Sequence, residues 1–559
     1  MKSRTSFFNG SVLKKDITRF APAWGLYLTA MLLLSLTLFI EEDIDLAQTM
    51  GVCLGPFSLV NFCYALICAA LLFGDLFNSK LCNALHAMPM RREGWFLTHL
   101  SSGFLFSAMP NLIVSLLLLP KLGEYWYVAF IWLGGMELIY LFFFGAAVLS
   151  AMCTGSRFAM TLVYGLINFL SILAMWIVQY LYIPLLYGID FNQVPFIFFS
   201  PAAYLCSNEL TFLPFINDIL AYAHYSTTNG WPYVVGIAII GVVMLIVALV
   251  LYRKRHLEGA GDFITVRFLN PVFLALYTLA AGMALFLFSR LFDTEQDYLF
   301  LGVGILVGFF TGSMLLKRTL RVFKPATFVG LAVLAAVLFG SLGLTRLDVL
   351  GIVRWTPDEA EVTSVCIHSR SDDYDTYALT ATDDAEIREL IDIHREFIDE
   401  RNTDAPIWYD SIYITYTLEN GRTVTRRYRR DYSGNAALRL NPWLSKPEYV
   451  LNTDDVAGFK DSVNFIEVEF YYDKFYDDTA IEPFKLVTGD DARELIDAIV
   501  TDCEAGRMIQ DYNYYNEFSG EPAPIAYIRF DLPDNRAVVI DVWQEAVNTY
   551  TWLLDNLGE

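Results

Sequence analysis

The chain has 559 residues, 55% of them hydrophobic, with a formal net charge of −22. So acidic a balance speaks against nucleic acid as a partner. The acidity is also confined to one part of the chain. Residues 346–559 hold 44 Asp/Glu against 20 Lys/Arg, a balance of −24, while the remaining 17 acids and 19 bases leave 1–345 at +2.

Upstream of residue 345 lies a series of apolar runs. A helix crossing a bilayer needs roughly 20 mostly apolar residues, because hydrocarbon offers no water to the backbone. Nine segments qualify, at about 21–40, 52–74, 101–120, 126–151, 158–187, 233–252, 271–292, 298–316 and 326–345. The fifth is long enough to tilt, or to end in an interfacial stretch near Tyr180 and Tyr182. The first run follows a basic, aromatic lead and reads as a retained helix rather than a cleaved signal.

Lys and Arg gather on cytoplasmic loops, and acids have little say. Bases precede the first run (Lys2, Arg4, Lys14, Lys15, Arg19) and separate the second from the third (Lys80, Arg91, Arg92). They recur at Arg157, at Arg253, Lys254, Arg255 and Arg267, and at Lys317, Arg318, Arg321 and Lys324. The alternate loops carry acids: Glu41 to Asp45, Glu209 and Asp218, then Asp293, Glu295 and Asp297. A cytoplasmic N-terminus and an extracellular C-terminal domain, in a multi-pass protein of the cell membrane, are expected.

In the acidic part, Glu389-Leu-Ile-Asp392 returns as Glu494-Leu-Ile-Asp497, each on an amphipathic helix. Asp and Thr at each helix start (382–384, 488–491) suit the free N–H groups and the helix dipole. Alternating strands precede each helix, at 362–369 and 377–382, then 465–471 and 484–488. A hairpin follows each, turning at Asn420-Gly421 and at Asp534-Asn535. The expected fold class is an α-helical polytopic membrane protein followed by an α+β domain of two ββαββ-like repeats, about 360–445 and 460–559. Cys366 and Cys503 would both lie outside, either as one disulfide or as two unpaired thiols.

Enzymatic devices are missing. No Gly-x-x-x-x-Gly-Lys-Ser/Thr phosphate loop, His-Glu-x-x-His, paired Cys-x-x-Cys, EF-hand loop or Gly-x-Ser-x-Gly occurs, and the six histidines are scattered. No catalytic residue, metal or cofactor is assigned.

Three features carry chemistry. Glu137 lies deep in the fourth run beside Gly134-Gly135, and an intramembrane carboxyl is a functional candidate. Its plain alternative is a structural Glu bonded to Asn168 or Gln179. Between the second and third runs, Leu81, Leu85 and Met88 share one helical face, Pro89 stops the helix, and Arg91 and Arg92 follow. Such a helix suits docking of a cytosolic partner, or simply an interfacial position with snorkelling bases. Phe7, Phe8, Leu13, Ile17 and Phe20 with Lys14, Lys15 and Arg19 form a second interfacial helix. The acid–aromatic stretches 471–478 and 511–517 read as a solvated face or a surface for cations, and the basic strand around Arg426 as a sheet edge.

Ala84-Leu-His-Ala-Met-Pro-Met-Arg-Arg-Glu93, leading into Phe96-Leu-Thr, resembles the Leu-Pro-x-Ser/Thr-Arg-Arg/Glu coupling segment of ABC-2-type transporter permeases. Ala147–Gly155 with Tyr164–Asn168, and Tyr252–Asp262, are similar to further stretches of that family's Firmicutes members. The segment Phe196–Tyr204 sits where such permeases carry short re-entrant helices. The resemblance covers about 1–255; three additional helices (256–345) and the domain 346–559 depart from it, as clostridial forms with such tails do. Met88 and Met90 also replace the commoner residues.

That resemblance implies the permease subunit of an ATP-binding cassette exporter, without nucleotide-binding motif of its own. A separate ABC ATPase subunit, a second permease copy or a sister permease, and the lipid bilayer are the implied partners. Leu81, Leu85, His86, Met88, Pro89, Arg91, Arg92 and Glu93 would couple to the ATPase. The alternative is a membrane-anchored receptor whose outer domain senses a ligand without transport.

Overall fold

Among the described residues the long apolar runs form helices. A computed structural model describes residues 8–36, 43–86, 91–191, 194–207, 212, 229–255, 261–266, 268–292, 296–370, 377–400, 411–429, 435–451, 453, 455–463, 465–470, 485–508, 526–532, 537–543 and 545–557. Contacts divide it into two units: residues 1–180 with 192–340, and residues 181–191 with 341–559.

The first unit contains α1 (Gly10–Arg19), α2 (Ala21–Ser35), α3 (Asp43–Leu72), α4 (Ser79–His86), α5 (Arg92–Leu118) and α6 (Tyr127–Cys153). Then come α7 (Arg157–Ile177), α8 (Trp231–Lys254), α9 (Leu269–Arg290), α10 (Asp297–Lys317) and α11 (Pro325–Arg346), whose last turns enter the second unit. Among the described residues eight helices are long and apolar enough to cross a membrane, or nine if α1 and α2 form one span bent by 59°. The chain is thus a polytopic helical protein. Pro22 explains the bend: lacking an N–H, it opens a helix more readily than it continues one.

Helix α6 is the centre of the bundle, with 18 of its 27 residues buried. It meets α8 backbone to backbone. A Cβ on Gly145 would stand 2.6 Å from the carbonyl oxygen of Gly241, so only glycine permits the approach. Helices α9 and α10 close on each other in the same way around Gly304 and Gly308. Helix α11 buries only Thr327 and Leu338.

The second unit is built on two antiparallel sheets. One contains β1 (Val362–Arg370), β2 (Tyr377–Ala381), β3 (Ser411–Leu418) and β4 (Thr423–Arg429), in the order β2-β1-β3-β4. Helix α12 (Asp384–Glu400) joins β2 to β3, and α13 (Asn435–Leu444) follows β4. The other contains β5 (Phe465–Phe470), β6 (Lys485–Val487), β7 (Ala526–Asp531) and β8 (Ala537–Val542), in the order β6-β5-β7-β8. Helix α14 (Asp490–Glu504) joins β6 to β7, and α15 (Val547–Leu557) ends the described chain. Leu390, Ile391, Leu495 and Ile496, the apolar pairs of the recurring Glu-Leu-Ile-Asp, all lie in one hydrophobic cluster with both sheets.

Local expectations fare unevenly. The first hairpin turns as read, with Thr417 opposite Thr423 and Gly421 at φ +76°. Asp383 caps α12, its carboxylate accepting from the Ala385 N–H at 3.0 Å. Helix α14 differs: Gly489, at φ +67°, stands at its N-cap without a side-chain bond, leaving Asp490 and Asp491 to serve the dipole. Cys366 and Cys503 are both free thiols, and burial pushes the Cys503 thiol up.

The fifth run, expected over about 158–187 and long enough to end in an interfacial stretch near Tyr180 and Tyr182, forms a candidate span from Arg157 to Leu185, and Leu181–Phe191 groups with the second unit. Helix α7 ends at Ile177 in a π-helical turn, Val178–Tyr182. Beyond it Ile189 pairs antiparallel with Arg426, and the Arg427 N–H donates to the Gly188 carbonyl at 3.1 Å. The free edge of β4 is thereby extended, which satisfies backbone groups that an open edge leaves unpaired.

Candidate functional site

Three segments that are far apart in sequence meet at one end of the helical bundle. Arg92, in the first turn of α5, donates from Nη1 to the carbonyls of Arg253 and Arg255, both at 3.3 Å. Those carbonyls end α8, where the helix leaves acceptors unpaired. Glu93 pairs with Arg253 at 3.1 Å. Arg255 turns inward and donates to Ala151 O (2.8 Å), Met152 O (3.2 Å) and Leu76 O (3.3 Å), tying the end of α6 to the turn before α4. A short ladder completes the junction: Gly155 N–H to Asp262 O at 3.0 Å, Gly261 N–H to Gly155 O at 2.8 Å and Thr265 N–H to Cys153 O at 2.9 Å.

The basic pair following α4 is therefore divided. Arg92 is committed to α8, whereas Arg91 is exposed. Leu81 is 46% exposed on α4, beside a groove of about 470 Å³ that is also lined by Arg19, Phe20, Asp75 and Arg157. Leu85 and His86 lie on α4, with side chains outside the described residues; Met88 and Pro89 lie outside them altogether. So do the stretches 471–478 and 511–517.

Helix α1 is fastened at the same end. Asp16, 4% exposed, accepts from Ser102 Oγ at 2.8 Å and lies 2.7 Å from Nδ1 of His99. Nδ1 of His99 makes no hydrogen bond, so its contact with Asp16 is one of close approach. The rings of Trp95 and Phe73 close the site around His99. Sequence reading passed over both residues: Asp16 sits in a basic helix, and His99 in the first turns of a span.

The second constellation lies inside the bundle. Glu137 bonds to Ser107 Oγ (2.9 Å) and Asn111 Nδ2 (2.8 Å), both on α5. The expected alternatives, Asn168 and Gln179, are not its partners. The Asn168 side chain donates back to the Tyr164 carbonyl in its own helix, and the Asn168 backbone carbonyl accepts from Ser200 Oγ. Tyr27 on α2 donates to Asn111 Oδ1 (3.1 Å) and Asn61 Oδ1 (2.7 Å), and Asn61 on α3 reaches the Met136 carbonyl at 3.0 Å. Four helices thus contribute to one polar network in an apolar interior. Pro110 contributes by omission. It has no N–H for the Phe106 carbonyl, which accepts from Tyr64 OH at 3.1 Å instead. Asn61, Ser107 and Asn111 interrupt apolar runs, which is the signal that sequence alone offers for them.

In the second unit, His394 is wholly buried between Tyr428 OH (2.6 Å from Nε2) and Tyr416 OH (2.8 Å from Nδ1). Burial, helped by Arg426 and Arg395, lowers its pKa to about 3. Arg426, 3% exposed, donates to the carbonyls of Ile352 and Trp355 and lies over the Trp355 ring.

Comparisons with protein-family models, with curated proteins and with solved structures return no match.

Proposed function

We propose that the chain is the permease subunit of an ATP-binding cassette exporter, driven by a separately encoded ATPase and paired with a second permease. One observation carries the reading. In Ala84–Glu93, Ala147–Gly155 and Tyr252–Asp262, which resemble three stretches of ABC-2 permeases, the described residues meet at one end of the bundle through Arg92, Arg255 and the Gly155–Asp262 ladder. In this reading that end is cytoplasmic, in keeping with its bases. Residues 1–255 form the six-helix core, and 256–345 add three spans. An ATPase would dock on α4 with Arg91 and press on α5 and α8 as one body, because Arg92 and Glu93 bind the two together.

The extracellular domain is read as a duplication. Its sheets share one strand order, and in each half a carboxylate of the long helix caps the N-terminus of the final one. Glu400 accepts from Ala436 N–H, and Asp502 from Asn548 and Thr549. The receptor alternative draws on Leu181–Phe191: a ligand that shifted β4 would act on the segment directly following α7.

The test is co-purification of the tagged chain from its native membranes, as wild type and as Arg91→Glu. A stoichiometric ABC ATPase that accompanies the wild type and is lost from the variant is the expected result. No ATPase with the wild type would sink the transport reading and leave the receptor ahead.

A further inference from the structure

Among the described residues Glu137 has no counter-charge, its partners being the neutral Ser107 and Asn111. Arg290, two residues from the end of the seventh run, is the one Lys or Arg inside the apolar spans, and it pairs with Asp297. The titratable groups nearest to Glu137 are the phenols of Tyr27, Tyr64 and Tyr140, with the Cys68 thiol next to those, and none is a cation. A bare carboxylate in hydrocarbon is costly, so its charge has to be met by a proton or by a cation from outside.

The site is prepared for such exchange. Ser107 and Asn111 both bond to Oε1, holding one oxygen of Glu137 in place. Asn111 is itself oriented by Tyr27, which stacks on Tyr64 at 3.9 Å. Glu137 is only partly buried, and one helical turn away nothing lies within 4 Å of where a Gly134 Cβ would stand. Residues three apart share a helix face, so the carboxyl borders a notch in the surface of α6. The next turn of that face presents Phe130, 45% exposed. A fixed carboxyl, an open notch and an apolar flank match an amphiphile with a positive head.

We propose that Glu137 binds the cationic group of an amphiphilic substrate, ammonium or phosphonium in type, in exchange for a proton. Empty, the carboxyl holds its proton. On binding, the O–H bond breaks, the proton leaves to water, and the carboxylate meets the cation, so the net charge of the site is unchanged. The inference rests on the transport reading for its substrate, but binding at Glu137 is measurable without an ATPase.

Tetraphenylphosphonium is the probe, used with the purified full chain in lipid nanodiscs. Expected are saturable binding, release of one proton per cation in weak buffer, and an affinity in Glu137→Gln lower by about 30-fold or more, as for loss of one partner of a buried charge pair. In the wild type, dicyclohexylcarbodiimide should label Glu137, and saturating probe should slow the labelling; this arm stands even if the variant does not fold. Absence of binding, binding unaltered in a folded Glu137→Gln, or no protection from labelling would each overturn the proposal. Co-purification of the ATPase is scored separately, so cation binding without an ATPase would count against the exporter and not against the site.

Discussion

Asp16 and His99 approach to 2.7 Å between the first helix and the third apolar run, with Ser102 donating to the same carboxylate oxygen from one turn further along α5. The contact converts a basic amphipathic helix, which sequence places at the membrane surface, into a fixed part of the bundle. A buried group that loses its partner costs about 1–3 kcal/mol. Asp16→Ala is therefore expected to lower the unfolding free energy of the purified protein by that amount and to expose the N-terminal helix to protease. Asp16→Asn, which keeps an acceptor for Ser102, should cost less. Equal stability of wild type and Asp16→Ala would show that the Asp16 contacts are not what holds α1.

The basic pair Arg91 and Arg92 should separate in function. Arg92 satisfies carbonyls at the end of α8, so Arg92→Ala is expected to cost about 1 kcal/mol and to speed amide exchange around residues 253–255. Arg91 is exposed, where water screens whatever a side chain touches, so Arg91→Ala should cost less than Arg92→Ala. Exchange mass spectrometry on the two variants decides it; the same protection in both would remove the assigned division of labour.

A third expectation concerns Gly188. It stands at φ +78°, and a Cβ there would lie 2.5 Å from the Tyr428 ring. A β-branched residue fits neither that backbone region nor the space. Gly188→Val is expected to release the segment from β4 and to destabilise the second unit by about 2 kcal/mol or more. The readout is hydrogen exchange at the Arg427 amide, which donates to Gly188. Unchanged protection there would mean that the strand pairing does not depend on this glycine.

What the sequence revealed and what it hid follow one division. Apolar runs, the Asn420-Gly421 turn and the Glu-Leu-Ile-Asp helices were legible because each is specified by neighbouring residues. The partners of Glu137 were not. A helix apolar on every side does not disclose which face turns inward, so Asn168 and Gln179 were as plausible as Ser107 and Asn111. The pairing of Ile189 with Arg426 was hidden as well, since nothing local reports the open strand edge that captures it. Asp16 was hidden in the same sense: one acid among bases reads as surface until its long-range neighbour is known.

The last expectation is a pH dependence. His394 titrates at about 3 in the folded protein, against an ordinary value of 6.5, chiefly because it is buried. Its neutral ring bridges two tyrosine hydroxyls, and protonation would place a charge in the core beside Arg426. As pH falls below about 6.5, the unfolded chain takes up a proton that the folded chain refuses until about pH 3. Stability contributed by this residue is thus complete above the unfolded value and declines toward acid, by about 1.4 kcal/mol per pH unit at most. Other groups titrate in the same window, so the comparison is between wild type and His394→Gln, which removes the titration. The variant should be less stable near neutrality because the Tyr416 and Tyr428 hydroxyls lose their shared partner. Its unfolding midpoint, monitored in the second unit by near-ultraviolet circular dichroism, should fall less steeply than the wild type between pH 7 and pH 4. Parallel curves would show that His394 accepts its proton without opening the core, and that its burial is not what sets the acid limit of the domain.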